Sequence, residues 1–314
     1  MKSFKPEMDT DTAISHLREI EGEHITNVSP IEMGELSRVF RYEKDGKAYV
    51  IHFKDNRDSL EKERWIHDRY GAVYGLPAPK VYKIGNVGTI HYSISDQMPG
   101  VPISTLQPAS IRQVIPDLIG QYLRLHRITA GDNSEGYGWF TPEGKAAHGT
   151  WTDYLKATFD KDQGGFYEGW TELFDSSFLE KDVFYSLYDK MVELAAYAPQ
   201  ERYLVHGDFH LGNMLAAEDQ VSGIVDWEMA MYGDFMFDVA VMDLWAPQLK
   251  FPQRLKTAVE QQGADIPHFR ERLLCYQIFK GIDGLRFYAK KDHEPSYRFM
   301  KERIMSLLSD EAAG

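Results

Sequence analysis

One stretch of the chain, residues 203–238, restricts the possible folds more than any other. Its sequence is YLVHGDFHLGNMLAAEDQVSGIVDWEMAMYGDFMFD, in which short apolar segments alternate with polar loops. The segments NMLAA and VSGIVDW are joined by a turn at residues 218–220, which predicts a short β-hairpin. The loop before this hairpin contains Asp208 and Asn213, and Asp226 follows its second strand. We therefore expect a carboxylate, an amide and a second carboxylate to lie close together.

These three side chains match the needs of phosphoryl transfer from MgATP. In that chemistry a carboxylate orients the attacking hydroxyl and takes its proton, while an amide and a second carboxylate hold the magnesium ions that bridge the phosphates. The order Asp-x4-Asn, hairpin, Asp is typical of protein-kinase catalytic loops. Short polar residues also cap helices and form turns, but the combined spacing favours phosphoryl transfer. A zinc site at His206 and His210 is less favoured, because the glutamate of H-E-x-x-H is missing and two glycines oppose a helix there.

The order of the predicted elements indicates an α+β protein with two lobes. Residues 36–43 and 47–54 alternate as strands around the turn KDG, and residues 80–98 give two more strands. An amphipathic helix is expected at 59–71, with Gly71 at its end. Beyond residue 110 helical spacing dominates, as at 111–128, 151–159 and 184–198. We predict a small N-terminal lobe with an antiparallel sheet at 1–98 and a larger, mainly helical lobe at 99–314.

Composition restricts the location and the partners of the protein. The single cysteine, Cys275, excludes an internal disulfide, and its apolar neighbours favour a buried thiol. Apolar runs are too short for a membrane span and the charged N-terminal residues do not resemble a signal peptide, so we expect a cytoplasmic protein. The net charge of −13 argues against nucleic acid as a partner and would attract a cationic ligand, although many soluble proteins are equally acidic. Composition leaves monomer and homodimer open.

A family resemblance gives these residues more specific roles. The motif HGDFHLGN (206–213), followed by IVDWEMAMYGDFMFDVA (224–240), resembles the catalytic motif of the aminoglycoside phosphotransferase family. The stretches at 33–51 and 135–155 are similar to the hygromycin phosphotransferases in particular, so the resemblance covers about residues 30–245. It implies a protein-kinase-like fold, with Asp208 as the catalytic base and Asn213 and Asp226 as magnesium ligands. It also implies that Asp238 holds the catalytic loop and that Trp227 packs in the core.

The resemblance places ATP under the N-terminal sheet. The loop before residue 38 has one glycine, Gly34, where kinases have a glycine-rich loop; Ser37 is a candidate phosphate contact, and an ordinary hairpin turn explains this loop equally well. In YVIHFK (49–54) either Lys54 or His52 takes the place of the ATP-binding lysine, since both face the same side of the strand. We favour Lys54, because a histidine is mostly neutral near physiological pH.

Two further nucleotide contacts follow from the same alignment. Glu63, on the next helix, is the expected ion-pair partner of Lys54, although a solvated charged face would explain this glutamate nearly as well. Backbone groups of residues 95–97 are expected to bind the edge of the adenine, with Asp96 as a surface residue.

The acceptor has to reach Asp208 from the helical lobe. Glu228, two residues after Asp226, is the best candidate for a contact to the acceptor, and carboxylates would suit the ammonium groups of an aminocyclitol. Further acidic candidates are Asp153, Glu168, Glu172 and Asp283.

The sequence thus predicts an ATP- and Mg²⁺-dependent phosphotransferase that acts on a hydroxyl of a small molecule. An aminoglycoside such as hygromycin is the leading acceptor. Two alternatives stay open: a metabolic kinase of the choline, homoserine, methylthioribose or fructosamine type, and a catalytically inactive nucleotide-binding protein with a kinase fold.

Overall fold

The first part of the chain forms a five-stranded antiparallel sheet. The computed structural model describes residues 4–32, 36–130 and 134–313. The strands are β1 (Ile25–Ile31), β2 (Arg38–Lys44), β3 (Lys47–Lys54), β4 (Val81–Val87) and β5 (Ile90–Asp96), in the order β1-β2-β3-β5-β4. The predicted hairpin of β2 and β3 is present. It turns at Asp45 and Gly46, whose φ angles of 52° and 74° are those that a tight two-residue hairpin turn requires.

Three helical elements accompany this sheet. Helix α1 (Thr10–Glu21) precedes β1, while α2 (Arg57–Ile66) follows β3 and continues through one π-helical turn (His67–Gly71) into α3 (Ala72–Tyr74). The predicted helix end at Gly71 is therefore wrong. Gly71 keeps a right-handed conformation, and the chain leaves the helix at Gly75, which takes the left-handed φ of 64° that favours glycine after a helix.

The rest of the chain is mainly helical. Its helices are α4 (Pro108–Leu125), α5 (Trp151–Ala157), α6 (Leu173–Ser176), α7 (Lys181–Leu194), α8 (Met236–Trp245), α9 (Phe251–Glu260), α10 (Phe269–Lys290) and α11 (Glu294–Ala313). Short 3₁₀ segments lie at Ile103–Thr105, Gly165–Tyr167, Trp170–Glu172, Ala195–Tyr197, Trp227–Met229 and Pro247–Leu249. The predicted α+β architecture, with a small N-terminal antiparallel sheet and a larger helical part, is confirmed. The predicted lobe boundary near residue 98 stays a prediction.

Two small sheets within the helical part hold its polar loops in place. They are built from β6 (Val101–Pro102), β7 (Tyr137–Phe140), β8 (Ala146–His148), β9 (Tyr203–Val205), β10 (Met214–Ala217), β11 (Gln220–Ile224) and β12 (Met231–Gly233). The strand orders are β11-β10-β6 and β8-β7-β12-β9. The predicted hairpin of β10 and β11 is present, with Met214 opposite Ile224. The loop between β9 and β10 therefore lies beside the end of this hairpin.

The buried apolar residues form two clusters that follow the same division. One lies between α1 and the N-terminal sheet and includes Leu17, Ile51 and Phe53. The larger cluster fills the helical part and also takes in Ile66 and Tyr70 at the end of α2 and in the π-helical turn. Cys275 is buried in α10, as predicted, and burial raises the pKa of its thiol. In the described part of the chain, no helix combines the length and the apolarity that crossing a membrane requires.

A buried ion pair fixes α10 against the start of α8. The Asp234 carboxylate accepts hydrogen bonds from Arg272 Nε at 2.8 Å and Arg272 Nη2 at 2.5 Å. The Tyr276 hydroxyl donates to the same carboxylate at 2.6 Å, and the Met236 N–H donates at 3.0 Å. Asp234 and Arg272 are 1% and 3% exposed, so every donor and acceptor of the pair depends on its protein partner.

We expect Arg272→Met to lower the free energy of unfolding by about 3–5 kcal/mol, because it leaves the Asp234 carboxylate buried without its cation. The matched control is Arg298→Met, which breaks the exposed Arg298–Glu294 pair of α11. That change should cost no more than about 1 kcal/mol. Urea denaturation followed by circular dichroism measures both. Equal losses in the two variants would contradict a special structural role for the buried pair.

Candidate active site

The loop of residues 206–213 is held from below by one buried carboxylate. Asp238, in the first turn of α8, accepts the backbone N–H groups of His206 and Gly207, each at 2.8 Å. Burial raises the pKa of Asp238 to about 7, and the two N–H donors oppose that rise. The role that the resemblance implied for Asp238, fixing the catalytic loop, is thus seen directly in its hydrogen bonds.

The two histidines of the loop are part of its scaffold. His206 is fully buried; its Nε2 lies 3.0 Å from the Val225 carbonyl oxygen, and burial lowers its pKa to about 4. His210 Nδ1 accepts the Gly212 N–H at 3.0 Å, so its Nε2 carries the proton and faces Asp208 Oδ2 at 3.3 Å. The described residues contain no group of three or more His, Cys, Asp or Glu side chains that could hold a metal ion, so the zinc hypothesis gains no support.

Asp208 lies at the centre of this loop with both carboxylate oxygens in polar contacts. Asn213 Nδ2 donates to the Asp208 carbonyl oxygen at 3.0 Å and to Oδ2 at 3.3 Å. Lys280 Nζ, from α10, lies 3.5 Å from Oδ1. Burial would raise the pKa of Asp208, but the Lys280 ammonium and His210 outweigh it and hold that pKa well below its ordinary value. Asp208 is therefore a carboxylate at neutral pH, with 32% of its side chain exposed.

Asp226 follows the β10–β11 hairpin and lies next to Asn213. The Val225 N–H donates to the Asn213 carbonyl oxygen at 3.0 Å, which joins the two segments. Asp226 itself takes a left-handed conformation, with φ 64° and ψ 60°, which is uncommon for a residue other than glycine and is often found at functional sites. Burial and the nearby Glu228 carboxylate raise the pKa of Asp226, while Lys54 opposes the rise. Burial and the neighbouring carboxylate thus disfavour the charged form of Asp226.

Lys54 is bound between two carboxylates across from Asp226. Its Nζ lies 2.8 Å from Glu228 Oε2, 3.2 Å from Glu63 Oε1 and 4.0 Å from Asp226 Oδ1. Burial alone would lower the pKa of Lys54, but Glu63 and Glu228 raise it well above its ordinary value. The predicted Lys54–Glu63 ion pair is present. The contact of Lys54 with the phosphates of a nucleotide stays a prediction.

A cavity of about 330 Å³ lies between the N-terminal sheet and the β10–β11 hairpin. Its walls are largely apolar side chains, among them Val39, Val50, Val81 and Leu215. Ser37, His52, Asp226 and the chain at residues 95–98 also line it. His52 Nδ1 is buried with no hydrogen-bond partner among the described residues, and burial lowers the pKa of this histidine. Gly34, the predicted glycine of the phosphate loop, lies outside the described residues.

Comparison with known proteins agrees with this geometry. A model of the phosphotransferase enzyme family (APH) matches residues 27–272, more than three quarters of the chain. This chain belongs to that family. The matched range contains the whole loop, the hairpin and Lys54, and it ends in the first turn of α10.

Individual members of the family and solved structures extend the comparison. The chain is 28% identical over 284 residues to the hygromycin-B 4-O-kinase of Escherichia coli, a match that covers 90% of this chain and 80% of the kinase. A thermostable mutant of the aminoglycoside phosphotransferase APH(4)-Ia, in ternary complex with AMP-PNP and hygromycin B, has a TM-score of 0.82 at 21% identity and covers 96% of this chain and 100% of that chain. The GDP complex of an aminoglycoside 2′-phosphotransferase-IIIa mutant has a TM-score of 0.65 at 12% identity, with 97% and 98% covered. The fold is therefore that of the APH-family structures.

The predicted acceptor residues are spread over several elements of this APH fold. The Glu228 carboxylate is bound to Lys54, and Asp283 accepts a hydrogen bond from Arg286 at 2.9 Å. Asp153 is exposed in the first turn of α5; Glu168 and Glu172 lie on either side of Trp170. The side-chain partners of Asp208 in the described part of the chain are Asn213, His210 and Lys280. Their contact with an acceptor stays a prediction.

Two lysines of this APH-family site were missed in the sequence. Lys62 is 6% exposed and donates to the Glu228 and Ala230 carbonyl oxygens at 2.8 and 2.9 Å. Glu63 is also largely buried. The alternative prediction, that Glu63 lies on a solvated charged face of the helix, is therefore wrong. The neighbouring Lys-Glu pair in EKERW could have signalled a paired, buried site, whereas nothing in the sequence around Lys280 points to Asp208.

We expect Gly207→Ala to lower the stability of the loop by more than the backbone strain that an alanine has at a φ of 83°. An added Cβ would lie 2.2 Å from the Met229 carbonyl oxygen, so the backbone beside Asp208 has to move. Gly263→Ala is the matched control, because its φ is 77° but its Cβ would meet open space. The control should lose about 1 kcal/mol of unfolding free energy, and Gly207→Ala should lose more and also lose phosphotransferase activity. If both variants lose the same stability and keep activity, the close approach at Gly207 does not position Asp208.

Proposed function

We propose that this protein transfers the γ-phosphoryl group of ATP to a hydroxyl of a small molecule, with Mg²⁺ as cofactor. The single observation that supports it best is the placement of three oxygen-bearing side chains around one hairpin. Asp208 and Asn213 share a loop, and Asp226 lies beside them at the end of the adjoining strand. An APH-family chain with Asn213 bonded to Asp208, and with Asp226 at the end of the adjoining strand, has the set that phosphoryl transfer requires.

Asp208 is proposed as the base that receives the acceptor hydroxyl. Its carboxylate is ionised and partly exposed, so one oxygen can accept the hydroxyl hydrogen bond and orient the attacking oxygen. Asp238 and Asn213 hold the carboxylate and its loop in place, so that little reorganisation is needed when the acceptor binds.

Asn213 and Asp226 are proposed as the magnesium ligands. Their amide and carboxylate oxygens are the hard donors that Mg²⁺ prefers, and Mg²⁺ commonly takes only one or two protein ligands besides phosphates and water. The raised pKa of Asp226 fits this role, because it marks a place where carboxylates crowd together. A bound magnesium ion would neutralise part of the negative charge of the phosphates.

The nucleotide is proposed to fill the cavity under the N-terminal sheet. Its apolar walls suit a purine ring, and residues 95–97 are part of its lining. Lys54, fixed by Glu63, is the proposed phosphate contact; Ser37 and His52 line the same cavity. Release of Lys54 from Glu228 would free its ammonium for a phosphate oxygen, and Glu228 would then be available to the acceptor.

The acceptor is proposed to be an aminoglycoside or aminocyclitol of the hygromycin type. The support is the 28% identity to hygromycin-B 4-O-kinase over 90% of this chain, together with a net charge of −13 that attracts a polycation. We thus propose that the protein is an antibiotic-modifying kinase. Its proposed lobes, residues 1–98 and 99–314, would meet at the nucleotide.

The test is a phosphotransfer screen with Mg·ATP against aminoglycosides and small metabolic alcohols. We expect turnover with a hygromycin-type acceptor, and we expect Asp208→Asn to lower kcat by about 10²- to 10⁴-fold, because the base is lost while the side-chain shape is kept. Nucleotide affinity, measured by calorimetry, should stay near that of the wild type. Activity confined to choline, homoserine, methylthioribose or fructosamine substrates would overturn the acceptor. Nucleotide binding without turnover of any acceptor would indicate an inactive binding protein, and unchanged turnover in Asp208→Asn would remove Asp208 from the chemistry.

Substitutions at Lys54 and His52 separate the two candidates for the phosphate contact. We expect Lys54→Met to raise the KM for ATP at least about tenfold, because Glu63 and Glu228 would then face the phosphates without a cation between them. His52→Asn should change that KM little, since the imidazole is neutral. The control is Lys44→Met, which removes an ion pair with Glu21 elsewhere on the sheet. A raised KM in His52→Asn and an unchanged one in Lys54→Met would reverse the assignment.

A further inference from the structure

Helix α10 brings a lysine to the proposed base from outside the catalytic motif. Lys280 Nζ lies 3.5 Å from Asp208 Oδ1 and donates to the Gly207 carbonyl oxygen at 3.4 Å. Only 13% of its side chain is exposed. The family match ends at residue 272, eight residues before this lysine, and the loop HGDFHLGN contains no Lys or Arg. The charge therefore reaches the loop only through the tertiary fold.

The ammonium of Lys280 is held in place but not saturated by its contacts. Charge-assisted N–H···O bonds are usually about 2.7–2.9 Å long, and both of its contacts are longer than that. A lysine has three N–H donors, so a further anionic oxygen could be bound at the same time. By contrast, Lys54 makes a 2.8 Å bond to Glu228, and Lys62 is bound to two carbonyl oxygens.

The position of Lys280 is fixed by the same segment that fixes the loop. Arg272, two turns before Lys280 in α10, is bound to Asp234 at the start of α8. Asp238, four residues after Asp234, accepts the N–H groups of His206 and Gly207. The residue after Lys280 in α10, Gly281, lets α11 approach so closely that an added Cβ would lie 2.2 Å from Ile304. The distance between Lys280 and Asp208 is thus set by packed, buried elements.

We propose that Lys280 is a catalytic residue that donates a hydrogen bond to an oxygen of the γ-phosphoryl group during transfer. This inference rests on the proposed function. In the step, the acceptor oxygen forms its bond to phosphorus as its proton passes to Asp208. The bond from phosphorus to the bridging oxygen breaks, and its electron pair leaves with ADP. Lys280 acts as a hydrogen-bond donor beside the base and neutralises charge on the phosphoryl oxygens, while Lys54 binds phosphate from the N-terminal sheet.

The test compares Mg·AMP-PNP with Mg·ADP binding by calorimetry, because only the first nucleotide has a γ-phosphoryl group. We expect Lys280→Met to weaken AMP-PNP binding about tenfold, the value of one hydrogen bond to a charged group, and to leave ADP affinity unchanged. In the acceptor assay kcat should fall on the order of 10²-fold, as when a transition-state donor is removed. Lys280→Arg should keep the ratio of AMP-PNP affinity to ADP affinity close to that of the wild type. Lys256→Met, which removes a half-buried lysine of α9 paired with Glu260, should match the wild type.

The outcomes separate this inference from the proposed function. Equal weakening of both nucleotides in Lys280→Met would show a structural role, and an unchanged affinity ratio with unchanged kcat would show no role; either overturns the inference. In both cases the effect of Asp208→Asn still decides the proposed function by itself. If the wild type shows no Mg²⁺-dependent binding of either nucleotide, the proposed function fails first and the inference falls with it.

Discussion

Two buried carboxylates at the start of α8 determine the geometry of the site. Asp234 holds Arg272 and Tyr276 of α10, and Asp238 holds the loop that contains Asp208. Each carboxylate is buried and directs its hydrogen bonds to one other element, so neither element can shift without leaving a buried charge or N–H unpaired. The proposed base and the lysine of α10 therefore keep their separation even though they are 72 positions apart in the chain.

The site divides into a part that the sequence could predict and a part that it could not. Asp208, Asn213 and Asp226 lie within 19 residues, and a loop followed by a hairpin brings such residues together whatever the rest of the fold does. The Lys54–Glu63 pair was predictable for the same reason, because a strand and the helix directly after it place them side by side. Lys280 meets Asp208 only after α10 has packed against α7, α8 and α11, and no local pattern reports such packing.

The fold shows the same limit. Strands with clear alternation and turn residues, such as β2 and β3, were predicted nearly to the residue. Strand β1, whose sequence contains Asn27 in a left-handed conformation and Pro30, has no such pattern, and β12 has three residues only. Both are paired with a neighbouring strand, and pairing with a neighbour is not visible in the segment itself.

The charges of the site bear on how the proposed nucleotide and the proposed magnesium ion would bind. Among the described residues, four carboxylates, Asp208, Asp226, Glu63 and Glu228, face three lysines, Lys54, Lys62 and Lys280. Burial lowers the pKa of Lys62 to about 8, and burial together with Glu228 raises the pKa of Asp226, so the environment disfavours the charged form of both groups. A triphosphate alone would meet surplus negative charge beside Asp226, and a divalent cation alone would lack phosphate ligands. Under the proposed function each ligand would remove the obstacle to the other, which would be positive coupling between two ligands, and by linkage the enhancement would have the same size in either order of binding.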